Sequence, residues 1–125
     1  MANRFEGRGN LGSDPVLKYV EVSGEKRAVC EFRVYFDRQV RDGDEWREHG
    51  GFWLNVTQWG KRGELAGKLL VKGCRVMVIG SLVQETWADK DTGEEKSRLV
   101  LDADSVDMDL VRVESVRFAE KRERE

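Results

Sequence analysis

Proline occurs once, at Pro15, histidine once, at His49, and cysteine twice, at Cys30 and Cys74. One histidine in a charged stretch leaves no material for a His-based metal cluster or a Ser-His-Asp arrangement. The two cysteines stand far apart, each inside an apolar run. That excludes a CxxC metal site and a disulfide framework, and implies buried free thiols. No apolar run approaches the ~20 residues of a membrane span, and Met1-Ala2-Asn3-Arg4 lacks the apolar stretch of a secretion signal, so a cytoplasmic protein without membrane contact is expected. Neither charge sign dominates: 22 basic and 24 acidic residues leave a net charge of −2, and no bulk attraction to nucleic acid or anionic lipid follows. Isoleucine is nearly absent too, with one residue against sixteen valines. With four Trp and five Phe, this tilts a chain of single-domain length toward strands.

The order of segments narrows the fold. Ala28, Cys30, Phe32, Val34 and Phe36 alternate with Glu31, Arg33 and Tyr35, the pattern of a half-buried strand. Residues 38–50 are charged and contain glycine, and read as a long exposed hairpin loop bearing Trp46. Over Phe52–Trp59 the alternation sets Phe52, Leu54 and Val56 on an inner face and Trp53, Asn55, Thr57 and Trp59 on an outer one. Lys61–Lys72 spaces Leu65 and Leu69 at i, i+4 beside Ala66 and Leu70, a short helix capped by Gly73. Cys74–Val83 reads as a central strand with Gly80 as a bend or bulge. It continues as an exposed ribbon bearing Trp87, turns at 89–93, and returns over Ser97–Ala103. This order predicts an all-β fold, a five-stranded OB-type Greek-key barrel with one short helix between the third and fourth principal strands. Residues 1–110 form the domain, and 111–125 are a short mixed-charge extension of undecided structure.

Some motifs give way to their context. Gly7-Arg8-Gly9-Asn10-Leu11-Gly12 matches GxGxxG, but a dinucleotide site needs a buried parallel strand before it and a helix after it. Here six residues precede the motif and Ser13-Asp14-Pro15 follows. Asp102, Asp104, Asp107 and Asp109, like Asp89-Lys90-Asp91, lack the calcium-loop pattern and read as solvated acid. Carboxylates without a pocket give no hydrolase signature. No catalytic residue, metal ligand or cofactor is therefore expected.

The tryptophans remain. Trp46, Trp53, Trp59 and Trp87 each sit among polar or charged neighbours, outside the most apolar stretches. Exposed aromatics interleaved with cations make a platform on which unpaired bases stack, while Arg and Lys follow the phosphates. Beside the rings, the expected binding residues are Lys61, Asn55 and Arg33, together with Arg38, Arg41 and Arg47, which share their loop with Asp42, Asp44, Glu45 and Glu48.

These residues also stand in a familiar order. Asn3-Arg4, Gly9-Asn10-Leu11-Gly12-x-Asp14-Pro15, Ala28-Val29-Cys30-x-Phe32, Asp42-Gly43-x-Glu45-Trp46, Trp53, Trp59-Gly60-Lys61, Leu70-x-Lys72-Gly73, Gly80-x-Leu82 and Trp87-x-Asp89 together resemble the bacterial single-stranded DNA-binding proteins over roughly residues 3–110. The resemblance implies an OB-fold that wraps single-stranded DNA, stacks bases on Trp53, Trp59 and Trp87, and assembles as a homo-oligomer, a tetramer rather than a dimer. Its implied settings are replication, recombination, repair or DNA transfer. The chain departs from the family at Val40, where a stacking Trp often stands, and at Phe5-Glu6-Gly7-Arg8, where the first strand is usually apolar. Leu54-Asn55 and Val83-Gln84-Glu85-Thr86 replace basic runs. The mixed-charge end at Glu125 carries no acidic tip of the kind that recruits repair enzymes. An alternative expectation, favoured by the near-neutral charge, is an OB-fold interaction module with weak DNA affinity.

Overall fold

The computed structural model describes residues 3–121. Five barrel strands emerge, the first broken into β1 (Phe5–Leu11) and β2 (Val16–Val22), with the break at the Asp14-Pro15 turn. Both halves pair antiparallel with β3 (Glu25–Phe36), β2 along its first half and β1 at its end, where Gly9 faces Phe36. On its other side β3 pairs antiparallel with β6 (Phe52–Trp59). The helix α1 (Gly60–Leu69) follows, then β7 (Arg75–Ala88) and β8 (Glu95–Met108). β7 pairs antiparallel with β8 and β1, and β8 closes against β6 in parallel. The five-stranded barrel and, among the described residues, its one α-helix between the third and fourth principal strands are thus as the sequence predicts. Residues Gly7–Leu11 lie inside an antiparallel strand with no helix after them, so the glycine motif has no dinucleotide context.

The core follows from the alternation in β3 and β6. Cys30, Phe32, Val34 and Phe36 are buried against Leu54, Val56, Val76, Val78 and Leu101. Burying one such Val or Leu side chain contributes roughly 1.5–3 kcal/mol, which is why these strands hold their register. Gln58, on the same inner side, is buried at the helix end of the barrel, where its Nε2 donates to the Asp104 carbonyl at 3.4 Å.

Four local expectations need correction. Residues 38–50 are not a plain loop: β4 (Gln39–Asp42) and β5 (Glu45–Glu48) pair as a two-stranded ribbon turning at Gly43. Exposure on both faces hides such a strand from a pattern search, because nothing alternates. The helix ends at Leu69, with an extended Leu70 after it, rather than reaching the expected cap at Gly73, and it turns Gly63, Ala66 and Leu70 inward while Leu65 and Leu69 stay exposed. A Cβ at Gly63 would collide with the Gln58 carbonyl, so only the small-residue face can approach the barrel this closely. Phe52, expected inside, is half-exposed at the rim, although its ring lies 5.9 Å from Phe36 and 6.1 Å from Phe5. Cys74 is only partly buried, whereas Cys30 is fully so, and burial pushes the Cys30 thiol up, assisted by the Glu31 charge. Past β8, Leu110–Arg112 form one 3-10 turn, and 113–121 continue without regular structure. The last residues of the expected 111–125 extension, 122–125, lie outside the described residues. Among the described residues no helix is long and apolar enough to cross a membrane.

Candidate nucleic-acid interface

Strand alternation builds the site. With Leu54 and Val56 fixed in the core, Trp53, Asn55, Thr57 and Trp59 must point the other way. Register supplies their neighbours: on β3, Tyr35 lies opposite Trp53, Arg33 opposite Asn55 and Glu31 opposite Thr57. On the far side, β8 sets Val100 beside Asn55 and Asp102 beside Thr57. The result is one continuous outer face across three strands.

Trp53 is its best-defined part. Its ring centroid lies 5.3 Å from that of Tyr35, and the Arg33 guanidinium sits over the ring at 4.8 Å. Beneath it is Gly12, where a Cβ would collide with the indole. Trp59 closes the strand and precedes Gly60, whose left-handed φ of 74° starts α1. Lys61 follows it, exposed on the first helical turn. The four Trp side chains remain between 43% and 64% exposed, which is high for residues usually placed in cores.

The two ribbons carry the other rings. Trp87 is on the β7–β8 ribbon with the Arg98 guanidinium 5.7 Å from its ring centre, and Arg98 Nε donates to Glu85 Oε1 at 3.1 Å. Trp46 is on β5, opposite Arg41 on β4, whose guanidinium lies 5.8 Å from it. Between β6, β3 and the β7–β8 ribbon runs a groove of about 210 Å³ lined by Arg33, Asn55, Thr57, Glu31, Glu85 and Arg98 among others.

The expected residues therefore divide. Trp53, Asn55 and Arg33 share one face, joined through the groove to the ribbon of Trp87. Trp59 and Lys61 sit at the helix end of that face. Trp46, Arg38, Arg41 and Arg47 belong to the β4–β5 ribbon, and each of these three cations has a structural partner, Arg41 Nε donating to the Gly43 carbonyl at 3.1 Å. Arg47 pairs with Asp42 at 3.7 Å, and Arg38 Nη1 donates to the His49 carbonyl at 3.1 Å while the His49 N–H donates back to the Arg38 carbonyl, closing the ribbon's neck. Sequence reasoning missed Arg98, Glu85 and Tyr35. Arg98 has no aromatic residue near it in the chain, and only the cross-strand register reveals that it meets Trp87 and Glu85. Tyr35 had a visible signal, its place on the polar face of β3.

Tyr35 also ties the ribbon to the barrel: its hydroxyl donates to Glu48 Oε1 at 2.6 Å, and the same oxygen accepts from the Gly51 N–H at 3.1 Å. The bond to Tyr35 is the main reason the Glu48 carboxyl is held below its ordinary range and the phenol above its own. Asp102 behaves oppositely. Burial beside Thr57 raises its pKa, the nearby Asp104 charge adds to the rise, and the Thr57 hydroxyl opposes it. Among the described residues no group of His, Cys, Asp or Glu is arranged to hold a metal ion.

Comparison with known proteins agrees with this geometry. The model of the family described as "Single-strand binding protein family" matches residues 2–109. A single-stranded DNA-binding protein of Treponema pallidum is 34% identical over 100 residues, covering 80% of this chain and 53% of that protein. Single-stranded DNA-binding protein 1 of Synechocystis is 33% identical over 100 residues, covering 80% of this chain and 77% of that protein. The chain thus spans between about half and three quarters of the length of these relatives. The crystal structure of a small single-stranded DNA-binding protein from Streptomyces coelicolor superposes with a TM-score of 0.73 at 20% identity, over 90% of this chain and 98% of that one, a likeness of fold.

Proposed function

The chain belongs to the single-strand binding protein family, and from that premise we propose that it binds single-stranded DNA without a catalytic step. Bases stack on Trp53, Trp59 and Trp87, with Trp46 on its ribbon as an outlying platform. Arg33, Arg41 and Lys61 meet the phosphates, while Arg38 and Arg47 contribute through the ribbon they hold. Asn55 offers an amide between the rings. The observation that carries this reading is the continuous outer face of β3, β6 and β8, on which polar groups surround half-exposed rings. Base stacking contributes about 1–3 kcal/mol per base and tolerates any sequence. Lys61 and Arg62 open α1 with no acid in its first turn, a charge arrangement that opposes the helix dipole and that a phosphate would relieve.

The role is coverage of exposed strands in replication, recombination, repair or transfer, carried by residues 1–110, with 111–125 as an appendage. It is exercised in the cytoplasm and by a homo-oligomer, a tetramer in preference to a dimer. Exposed Leu65, Leu69 and Val71 on and beside α1, with Leu110 and Phe118 beyond β8, supply apolar surface of the kind that subunit contacts cover.

Titration with a thymine homopolymer, followed by tryptophan fluorescence, tests the reading. Stacking quenches the emission. Absence of quenching at micromolar protein and low salt rejects it, and leaves the interaction module with little DNA affinity.

A further inference from the structure

The exposed rings are blind to sequence, since every base has a π-face. The groove between β6 and the β7–β8 ribbon is not, because its walls carry hydrogen-bonding groups of fixed polarity. Its charges are balanced, Glu31 and Glu85 against Arg33 and Arg98, so it offers a phosphate no net attraction, whereas a base edge brings donors and acceptors without charge. Glu85 and Arg98 face each other in register. Their bond, from Arg98 Nε to Glu85 Oε1 at 3.1 Å, leaves the second carboxylate oxygen as an acceptor beside the guanidinium Nη donors. The Trp87 ring, 5.7 Å from the guanidinium carbon, steadies the arrangement.

We propose that the Glu85–Arg98 pair reads the base entering this groove and selects guanine over thymine, an inference that rests on the strand-binding reading above. Guanine presents the O6 acceptor next to the N1–H and N2–H donors, so the guanidinium donates to O6 while the carboxylate accepts from both N–H groups. Thymine has a single donor, N3–H, between two carbonyls, and sets one of them against the carboxylate. Cytosine matches in part, with its amino group to Glu85 and its acceptors to Arg98. The protein therefore combines tolerance at the rings with selection at one position of the strand.

Three ~15-nucleotide strands decide the matter, a length chosen to fill one OB-fold footprint. One is all thymine, one carries guanine at every third position, and one carries cytosine there. Binding is read by tryptophan quenching, in lithium buffer to suppress guanine quadruplexes. The expected result is about tenfold tighter binding of the guanine strand than of the thymine strand, in line with a single well-matched edge contact. In Glu85→Gln the ratio falls below about twofold and the thymine strand binds more tightly, because a negative charge has left the face. Arg98→Lys, which keeps the charge and loses the planar fork, also loses the preference. A ratio near one in the unaltered protein overturns the proposal, as does a preference that survives Glu85→Gln in protein with an unchanged melt. Equal binding of the cytosine and guanine strands overturns the guanine assignment. If no strand quenches, the strand-binding reading itself fails. Equal quenching by all three leaves that reading intact and removes this one.

Discussion

Phe32 and Trp53 are aromatic residues on adjacent strands that point to opposite sides of the sheet, and substitutions at the two have opposite consequences. Phe32 is 3% exposed, so Phe32→Ala should lower stability by about 3–5 kcal/mol. Trp53→Ala should leave the melt nearly in place and weaken strand binding by about 1–3 kcal/mol. A thermal melt beside each titration separates the two, and an unfolded Trp53→Ala would reverse the assignment of faces. Asp102 adds a pH response. Its pKa is raised chiefly by burial, so between the unfolded and folded values the folded protein binds the extra proton. The strain of the buried charge is therefore present above the folded pKa and relieved as pH falls through it. Because Asp102 borders the binding face, its protonation also removes a negative charge from the strand's path. Affinity should rise as pH falls through that pKa, and Asp102→Asn should flatten the profile in a fluorescence titration across acidic pH. At this scale the sequence was legible wherever one residue's environment is set by its own strand: Trp53, Asn55 and Trp59 could be placed from alternation. Arg98 could not, since its partners Glu85 and Trp87 lie on another strand.

At the level of elements, one ion pair joins several strands. Arg75, at the start of β7, donates to both carboxylate oxygens of Asp37, just past β3, at 2.7 and 3.2 Å, and reaches Asn10 on β1 at 3.2 Å and Asp109, after β8, at 3.8 Å. The Arg75 bonds hold the Asp37 carboxyl below its ordinary range. An acid whose folded pKa is depressed gives stability that is present above its unfolded pKa and lost as pH falls through the folded one. Asp37→Asn should therefore lower stability by about 1–3 kcal/mol near neutral pH. It should also make urea unfolding less steep in its dependence on acidic pH. The same scale explains which face of the helix is buried. Leu65 and Leu69 have the stronger apolar signal, but close approach favours the smallest side chains, and Gly63 and Ala66 face the barrel instead.

For the whole molecule the proposed function turns on how many barrels share one strand. The outward residues of β1, Glu6, Arg8 and Asn10, are charged or polar and exposed, and Arg4 approaches Glu6 at 3.8 Å. Charge on that strand works against pairing through it, whereas the leucines flanking α1 and the apolar residues past β8 remain uncovered. Several copies on one strand raise each other's effective concentration without any new contact. Light scattering coupled to size exclusion should give a mass near four times 14.4 kDa. A mass of one chain across micromolar concentrations would reject assembly.

By itself the sequence determined what local periodicity can encode: the inner and outer faces of β3 and, past Phe52, of β6, the bulge at Gly80, the turn at 89–93 and the rings left over once the core is filled. A side chain's face depends on its immediate neighbours along the chain, and two-residue alternation records it directly. Only the tertiary structure decided lateral placement. The parallel closure of β6 on β8 joins Asn55 to Val100, 45 positions away, and so brings the Glu85–Arg98 pair of the ribbon to the same groove as Arg33. That register follows from completing every hydrogen-bond ladder of a closed barrel at once, a condition no short segment carries in its own pattern.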